Sequence, residues 1–312
     1  MDDFALPADD ALMARVAWLY YNDGRTQSEI GDRLNLSRIK VSRMLDQGRE
    51  AGLIQIRVNS LHHGCLEAEA ALRRRFGLAD CRVVPATDQD ALNARLGDAA
   101  AQFMMQALRP GQMLAVGWGH TVGQAIGKLG HFARQHDIGL VTLTGGVQSY
   151  IDGVRSANWG SGVYIVPSPL VVGSPDLAAA LAAERSIATL LDMARRADVK
   201  LVGIGGVTAA STVVAQGVVT SAEIEPLRRM GAVGDILCRF YDAGGAPVDL
   251  DLHSRVVGLD LATLKGSGQV VAVAGGAEKA APILGALAGG LLDVLITDET
   301  TAGLLLQERG ER

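Results

Sequence analysis

Basic and hydroxyl side chains crowd one short segment near the N-terminus, residues 37–43 with the sequence SRIKVSR. Guanidinium and ammonium groups pair with phosphates, and guanidinium groups also donate paired hydrogen bonds to guanine in the major groove of DNA. The segment therefore predicts non-covalent, sequence-specific DNA binding. The candidate DNA-binding residues are polar side chains in and before this segment: Gln27, Ser37, Arg38, Lys40, Ser42 and Arg43.

The charge of the surrounding sequence agrees with an anionic partner. Residues 25–57 contain seven basic and four acidic side chains, a net charge of +3, whereas the whole chain of 312 residues carries −5. A basic segment within an acidic protein indicates a local anionic partner such as nucleic acid.

The elements that position this segment have the layout of a helix-turn-helix. Thr26 and Glu29 predict a capping box at the start of a first helix, and Asn35 tolerates the left-handed conformation that ends it. Ser37 predicts the N-cap of a second, amphipathic helix. A preceding amphipathic segment, 10–23, is expected to pack beneath them. An ordinary helical hairpin is the alternative, and it requires all these positions to coincide by chance.

Several apolar runs later in the chain end in glycine-rich turns that lead into helices. Glycine lets backbone N–H groups approach an anion closely, and a helix N-terminus adds positive potential. Together the turns predict a pocket for a small phosphorylated or otherwise anionic ligand, although any one of them alone is more typical of a tight loop. The turns are Gly117-Trp118-Gly119-His120-Thr121, Thr144-Gly145-Gly146, Gly205-Gly206 and Gly275-Gly276, the last followed by Lys279.

Other ligand motifs do not occur in the sequence. No turn has the GK[ST] ending of a P-loop, and GxGxxG is missing from the first strand-to-helix turn, so neither nucleotide nor dinucleotide binding is expected. Cys65, Cys81 and Cys238 show no CxxC spacing, and His62-His63 is expected on a solvated linker. We therefore expect no disulfide framework, no metal and no cofactor.

From about residue 81, short apolar runs alternate with helical stretches. The alternation predicts an α/β fold, with a largely parallel sheet covered on both faces. We expect a helix-turn-helix domain at 1–58 that ends in a half-buried strand, a linker at 59–66, and a ligand-binding domain at 67–312 whose first helix spans 67–76. The runs are CRVVPA, MLAVGWG, IGLVTLTGG, VYIVPSPLVV, VKLVGIGGV, GDILCRFYD, RVVGLDL, QVVAVAGG and DVLITDE, and the helical stretches include 90–107, 177–195 and 278–290.

Several sequence blocks, in one order, resemble the SorC/DeoR-type sugar-binding transcriptional regulators over essentially the whole chain. They are YYNDGRTQSEIGDRLNLSRIKVSRML, VGWGHTV, LTGG, YIVPSPLVV, GAVGDIL, GGAEKAAPILGAL and LLDVLITDETTA. The resemblance implies a cytoplasmic regulator of a carbohydrate-utilisation operon that binds operator DNA, usually as a dimer or tetramer. It also implies a C-terminal domain similar to sugar-phosphate isomerases and deaminases, which binds a phosphorylated sugar or polyol as effector.

The same resemblance implies roles for residues of the predicted pocket. The GWGHT loop and Gly145-Gly146 are expected to hold the phosphate, Asp235 to accept hydrogen bonds from ligand hydroxyls, and Lys279 to neutralise an anionic group. The candidate effector-binding residues are Gly117, Trp118, Gly119, His120, Thr121, Thr144, Gly145, Gly146, Gly206, Asp235 and Lys279.

Two other functions are compatible with these residues. A phosphosugar isomerase or deaminase with an accessory DNA-binding module would need an acid/base couple, for which Asp235, Asp298, Glu299 and His253 are available in type. A scaffold whose helix-turn-helix binds protein is the third possibility.

Assembly and location follow from general arguments. A single helix-turn-helix buries too little DNA surface for tight specific binding, so a homo-oligomer on an inverted-repeat operator is expected. The family resemblance implies that this oligomer is a homodimer or homotetramer. The acidic start Met1-Asp2-Asp3 is unlike a secretory signal, and no apolar run reaches about 18 residues. We therefore expect a cytoplasmic protein that does not associate with membranes.

Overall fold

The computed structural model describes residues 8–50, 63–147, 150, 154, 159 and 162–307. Contacts between Cα atoms divide the chain into two compact units, Met1–Leu61 and His62–Arg312. The half-buried strand that the sequence predicts before residue 59 lies outside the described residues.

Three helices form the described part of the N-terminal unit: α1 Ala8–Tyr21, α2 Gln27–Leu34 and α3 Arg38–Glu50. Apolar residues recur every three or four positions along α3, so one face of this helix packs on α1 and α2 while the opposite face is exposed. The core of the unit is small and consists of Val16, Leu19, Ile30, Val41, Met44 and Leu45.

Local hydrogen bonds set the bounds of α2 and α3. The Thr26 N–H donates to Glu29 Oε2 at 2.8 Å, and the Glu29 N–H donates to Thr26 Oγ1 at 3.3 Å, which is the expected capping box. Asn35 ends α2 with a φ angle of 57°, and the Lys40 N–H donates to Ser37 Oγ at 3.1 Å in the first turn of α3. These bonds confirm the predicted helix-turn-helix layout.

The described part of the second unit contains ten strands, numbered β1 to β10 in chain order: Asp80–Val84, Met113–Val116, Gly139–Thr142, Val163–Tyr164, Val199–Gly203, Gly205–Gly206, Gly234–Ile236, Arg239–Tyr241, Gln269–Val273 and Val294–Asp298. Seven of them form one parallel sheet in the order β1-β10-β9-β5-β2-β3-β4. The central strands β2, β5, β9 and β10 are buried along most of their length, as strands covered on both faces must be. The predicted parallel α/β architecture is therefore confirmed.

Helices accompany the strands of this unit, and most of them lie in the crossovers that parallel neighbours require. They are α4 His63–Phe76, α5 Gln89–Ala107, α6 His120–Gln135, α7 Pro175–Ala183, α8 Arg185–Arg196, α9 Thr212–Ala215, α10 Ser221–Arg229, α11 Asp251–Ser254, α12 Leu261–Lys265, α13 Ala280–Ala288 and α14 Glu299–Gln307, with a 3₁₀ helix at Ala277–Lys279. None of the helices in the described ranges is both long and apolar enough to cross a membrane.

Three segments differ from the predicted elements. Helix α4 begins at His63, so the end of the segment expected as a linker is helical. The single helix expected over 177–195 is divided into α7 and α8, because the backbone of Glu184 leaves the helical region with a ψ angle of 129°. The run RVVGLDL is not a strand, because it forms only isolated bridges with two different segments. Val256 pairs with Val171, and Gly258 pairs with Thr144.

The run GDILCRFYD forms an antiparallel hairpin instead of a strand of the parallel sheet. Strands β7 and β8 are joined by Leu237 and Cys238, whose φ angles of 57° and 60° lie in the left-handed region. Such a short connection joins only antiparallel neighbours, and left-handed φ at both positions fits the tightest hairpin turn. The hairpin pairs with β6 and places Asp235 directly opposite Gly205.

Candidate functional site

The predicted DNA-binding residues lie around the start of α3 in the N-terminal unit. Lys40 and Arg43 are exposed on α3, away from its buried face, and Ser42 is half-buried. Arg38 and Gln27 instead share a groove at the start of α2. The groove is lined by Tyr20, Gly24, Arg25, Thr26, Gln27, Ser28 and Arg38.

This groove suits one phosphate of a DNA backbone. Arg25 and Arg38 supply two exposed cations beside the N-terminus of α2, where the helix dipole favours an anion. Arg25 Nη1 lies 3.7 Å from Glu29 Oε1, an exposed pair for which a phosphate can compete. The Ser37 hydroxyl, in contrast, is engaged as the cap of α3. Arg25 and Ser28 are groove residues that the predicted set does not include.

A second site lies in the larger unit, beyond the carboxyl ends of β2, β5 and β9. These strands are consecutive in the sheet, and the position is where open α/β sheets bind ligands. The site is a pocket of about 240 Å³, the size for one small molecule. Its walls include seven of the predicted effector-binding residues: Trp118, Gly119, His120, Thr121, Gly206, Asp235 and Lys279.

The first wall is the turn from β2 into α6. Gly119 precedes α6 with a φ angle of 136°, which only glycine adopts readily, and a Cβ at this position would have no neighbouring atom within 4 Å. The helix begins without a side-chain cap and leaves its first N–H groups available to a ligand. The Thr121 hydroxyl donates to Asn93 Oδ1 of α5 at 2.8 Å. Asn93 also lines the pocket, and the predicted set does not contain it.

Asp235 forms the second wall, and its carboxylate is almost completely buried, with 4% of the residue exposed. Oδ2 accepts a hydrogen bond from the Cys238 N–H at 3.2 Å, whereas Oδ1 has no partner among the described residues. Burial raises the pKa of Asp235 to about 6, and the nearby Lys279 opposes the rise. A Cβ at Gly205 would lie 1.8 Å from Oδ1, so only glycine fits opposite this carboxylate.

Lys279 supplies positive charge from the third wall, the turn that follows β9. Burial lowers the pKa of Lys279, and the charges of Asp235 and Glu278 oppose that shift. The turn is held from behind by Asp298, whose Oδ2 accepts a hydrogen bond from the Gly276 N–H at 2.8 Å. Asp298 therefore positions the turn and does not itself line the pocket.

Three buried polar atoms of the pocket lack a hydrogen-bond partner among the described residues. They are Oδ1 of Asp235, Nε1 of Trp118 and the hydroxyl oxygen of Ser211. A buried polar group without a partner costs about 1–3 kcal/mol, so a ligand that bonds to these atoms recovers that energy. Nothing in the sequence pattern singles out Ser211, because its burial and its place in the pocket are set by the tertiary structure.

Four of the predicted effector residues do not line the pocket. Gly117 packs against Leu237, and a Cβ there would lie 3.0 Å from its Cδ2. The Thr144 hydroxyl is 2.8 Å from the hydroxyl of Tyr150, and a Cβ at Gly145 would lie 2.4 Å from the Pro169 carbonyl oxygen. The turn that also contains Gly146 follows β3, which stands one strand further along the sheet than the three that form the pocket. These residues serve close packing in this structure.

The groups considered for proton transfer are dispersed. Of Asp235, Asp298, Glu299 and His253, Asp235 alone lines the pocket. His253 Nε2 accepts a hydrogen bond from the Phe240 N–H at 2.8 Å, and burial lowers its pKa to about 4, so its ring is neutral and structural. The described residues also contain no group of three His, Cys, Asp or Glu side chains placed to hold a metal ion.

Residues 61–307 match a protein family described as "Putative sugar-binding domain". The chain is 43% identical over 305 residues to the transcriptional regulator LsrR of Enterobacter sp. (strain 638), covering 97% of this chain and 94% of that protein. It is 42% identical over 302 residues to LsrR of Escherichia coli (strain K12), covering 96% and 95%.

Solved structures show the same relationship. The full-length sorbitol operon regulator SorC from Klebsiella pneumoniae superposes with a TM-score of 0.69 at 26% identity, covering 96% of this chain and all of that one. A DeoR family transcriptional regulator from Listeria monocytogenes gives a TM-score of 0.68 at 25% identity, covering 78% of this chain and 100% of the other.

Proposed function

Because this chain belongs to the SorC/DeoR-type family of sugar-binding transcriptional regulators, we propose that a phosphorylated sugar or polyol binds in its pocket and controls operator binding by the N-terminal unit. The chain is a DNA-binding transcriptional regulator with a sugar-binding domain, as its relatives are. The genes that it regulates then serve carbohydrate use.

One feature of the pocket supports a phosphorylated ligand most directly, namely that a buried acceptor and a buried cation share a small space. Asp235 Oδ1 needs a donor, which a ligand hydroxyl provides. Lys279 needs an anion to offset the burial that lowers its pKa. A ligand with hydroxyls at one end and a phosphate at the other satisfies both groups at once. A neutral sugar satisfies Asp235 alone, and inorganic phosphate satisfies Lys279 alone.

The remaining walls fit the same ligand. The uncapped N-terminus of α6 after Gly119 favours the phosphate, together with the close backbone approach that Gly206 allows. The indole N–H of Trp118 and the hydroxyl of Ser211, which have no partner within the described ranges, can bond to ligand oxygens. His120 and Thr121 stand at the first turn of α6 and complete this side of the pocket.

The alternative functions have less support. The isomerase or deaminase alternative is not favoured, because the similar proteins are transcriptional regulators. A carboxylate without a second acid/base group in the pocket suits hydroxyl recognition better than proton transfer. A protein-binding scaffold would not need the cationic groove formed by Arg25 and Arg38.

The proposal includes the organisation of the active protein. The N-terminal unit reads DNA, and the larger unit binds the effector and holds copies of the chain together. A homodimer or homotetramer then presents two helix-turn-helix units to an inverted-repeat operator. The protein acts in the cytoplasm, where operator DNA is accessible.

Calorimetry with matched ligand pairs tests the proposal. A thermal-shift screen of sugar and polyol phosphates first identifies a ligand, because a compound at about 100 times its Kd adds roughly 2.7 kcal/mol to the free energy of unfolding. The phosphorylated ligand, its unphosphorylated parent and inorganic phosphate are then titrated separately. We expect the phosphorylated ligand to bind at least tenfold more tightly than either fragment and to change operator affinity. Equal affinity for the parent would refute the phosphate site.

A further inference from the structure

Ile39 is the most exposed large hydrophobic residue in the described part of the chain, with 67% of its surface open to solvent. It is the second residue of α3, between Arg38 and Lys40. Helix stability does not favour isoleucine there, since a β-branched residue forms helix less readily than leucine, lysine or alanine. Core packing does not require it either, because the core of this unit lies on the opposite face of α3.

The position of Ile39 on the helix is well defined. It precedes the buried Val41 by two residues, which turns its side chain about 200° around the helix axis, away from α1 and α2. Arg43 follows Ile39 by four residues and therefore lies on the same outer face. The Ser37 cap, which accepts the Lys40 N–H at 3.1 Å, fixes the backbone of this first turn.

The first turn of the second helix is the part of a helix-turn-helix that reaches base edges in the major groove. The one apolar group that the bases present in that groove is the C5-methyl of thymine. We propose that Ile39 packs against a thymine methyl in each operator half-site and so specifies the identity of that base pair. The inference rests on the proposed role of α3 as the helix that enters the groove.

Charge favours DNA over a second copy of the chain as the occupant of this face. Arg38, Lys40 and Arg43 stand within four residues of Ile39, and all three are exposed. The same face of another copy would bring two sets of cations together, whereas the phosphates that flank the major groove complement them. Ile39 thus forms an apolar centre within a basic rim.

The test removes the C5-methyl group of thymine and the side chain of Ile39 separately. Operator half-sites are selected from random duplexes with the full-length protein, and each thymine is then replaced singly by deoxyuridine, which lacks only the C5-methyl. Fluorescence anisotropy at fixed salt gives the ratio of Kd values for the uracil and thymine operators. The ratio is measured for wild type, Ile39→Ala and Arg43→Ala. Met230→Ala is the control, because Met230 is also a large hydrophobic residue, lies in the larger unit and is 52% exposed.

We expect wild type and Met230→Ala to lose about fourfold in affinity at one thymine position of a half-site, the value of about one buried methyl group. Ile39→Ala should bind the thymine and uracil operators equally. It should keep its melting temperature, because alanine favours helix and no core contact is lost. Arg43→Ala should bind both operators more weakly while the fourfold ratio persists.

Three results would overturn the proposal. One is a wild-type ratio near one at every thymine, and another is an unchanged fourfold ratio in Ile39→Ala. The third is dissociation of the oligomer by Ile39→Ala in sedimentation, which would place Ile39 at a protein interface. If Ile39→Ala loses the ratio as expected, the thymine contact stands. If the wild-type ratio is near one at every thymine and Arg43→Ala also leaves operator affinity unchanged, the proposed role of α3 fails together with the inference. If the ratio is near one but Arg43→Ala weakens operator binding, only the thymine contact fails.

Discussion

A single methyl group at position 205 is expected to displace the carboxylate on which ligand recognition depends. In Gly205→Ala the new Cβ would lie 1.8 Å from Asp235 Oδ1, whereas Cβ contacts below 3.0 Å are essentially never seen, so the atoms must separate by more than 1 Å. The backbone cannot yield cheaply, because Gly205 of β6 is paired directly with Asp235 of β7. The carboxylate is also held in place, because the residue is 4% exposed and its Oδ2 accepts a hydrogen bond from the Cys238 N–H.

The size of the effect follows from these contacts. Overpacking of this kind typically lowers the free energy of unfolding by about 1–3 kcal/mol. A displaced carboxylate also loses its charged hydrogen bond to the ligand, worth about 1.5–3 kcal/mol, which corresponds to roughly 10- to 150-fold in effector affinity. Urea denaturation measures the first quantity and calorimetry with the phosphorylated ligand measures the second.

Two controls separate the clash from other effects of an added methyl group. Gly303→Ala makes the same change inside α14, where no atom lies within 4 Å of the new Cβ, so stability and effector affinity should not fall. In an Asp235→Ala background the atoms nearest to the new Cβ are gone, so Gly205→Ala should then cost little stability. Two results would refute the clash. One is wild-type effector affinity in Gly205→Ala. The other is a loss of unfolding free energy from Gly205→Ala that is as large in the Asp235→Ala background as in the wild-type background.

Four further predictions concern charge, DNA and assembly. Lys279→Ala should weaken effector binding by about 10- to 150-fold in calorimetry, through loss of a charge-assisted hydrogen bond, and leave operator binding without effector intact. Arg38→Ala or Lys40→Ala should weaken operator binding without lowering the melting temperature. A lost base contact should cost about 5- to 150-fold in affinity, whereas a lost phosphate contact should reduce the salt dependence of binding. Unchanged operator affinity in both variants would show that this region does not bind DNA. Burial raises the pKa of Asp235 from 3.8 to about 6, so the folded chain holds this proton more tightly than the unfolded chain. The free energy of unfolding should therefore fall as pH rises from about 4 to about 6, and effector affinity should rise over the same range. In urea denaturation, Asp235→Asn should lack this contribution to the pH dependence of the free energy of unfolding. Sedimentation at micromolar concentration should show a dimer or tetramer, and a monomer bound to one half-site would contradict the proposed assembly.

The DNA-binding unit and the ligand pocket differ in how far the sequence predicts them. The helix-turn-helix is predicted almost in full, because each of its signals acts within four residues, as in the Thr26–Glu29 capping box and the Ser37 cap. The parallel sheet is also predicted, since apolar runs separated by helices leave few other arrangements. The hairpin at Leu237 and Cys238 is not, because neither residue type favours the left-handed conformation that the turn adopts.

The pocket depends on strand order, which short-range signals do not encode. Every glycine-rich turn after a strand has similar local chemistry, yet only the turns that follow β2, β5 and β9 meet, because these strands are neighbours in the sheet. The turn at Thr144–Gly146 is also rich in glycine, but it packs against Ser168 and Pro169 and does not line the pocket.

The sequence by itself therefore determined the class of protein, the helix-turn-helix with its caps, the parallel α/β fold, and the kinds of side chain available for DNA and for an anionic ligand. Only the tertiary structure decided which of them act together. Asp235, Lys279 and Trp118 are separated by dozens of residues in the chain, and Ser211 has no distinguishing pattern. Long-range pairing and burial bring these side chains to one pocket, where three of their polar atoms have no hydrogen-bond partner in the part of the chain that the structure describes. Neither effect can be predicted from the neighbouring residues in the sequence.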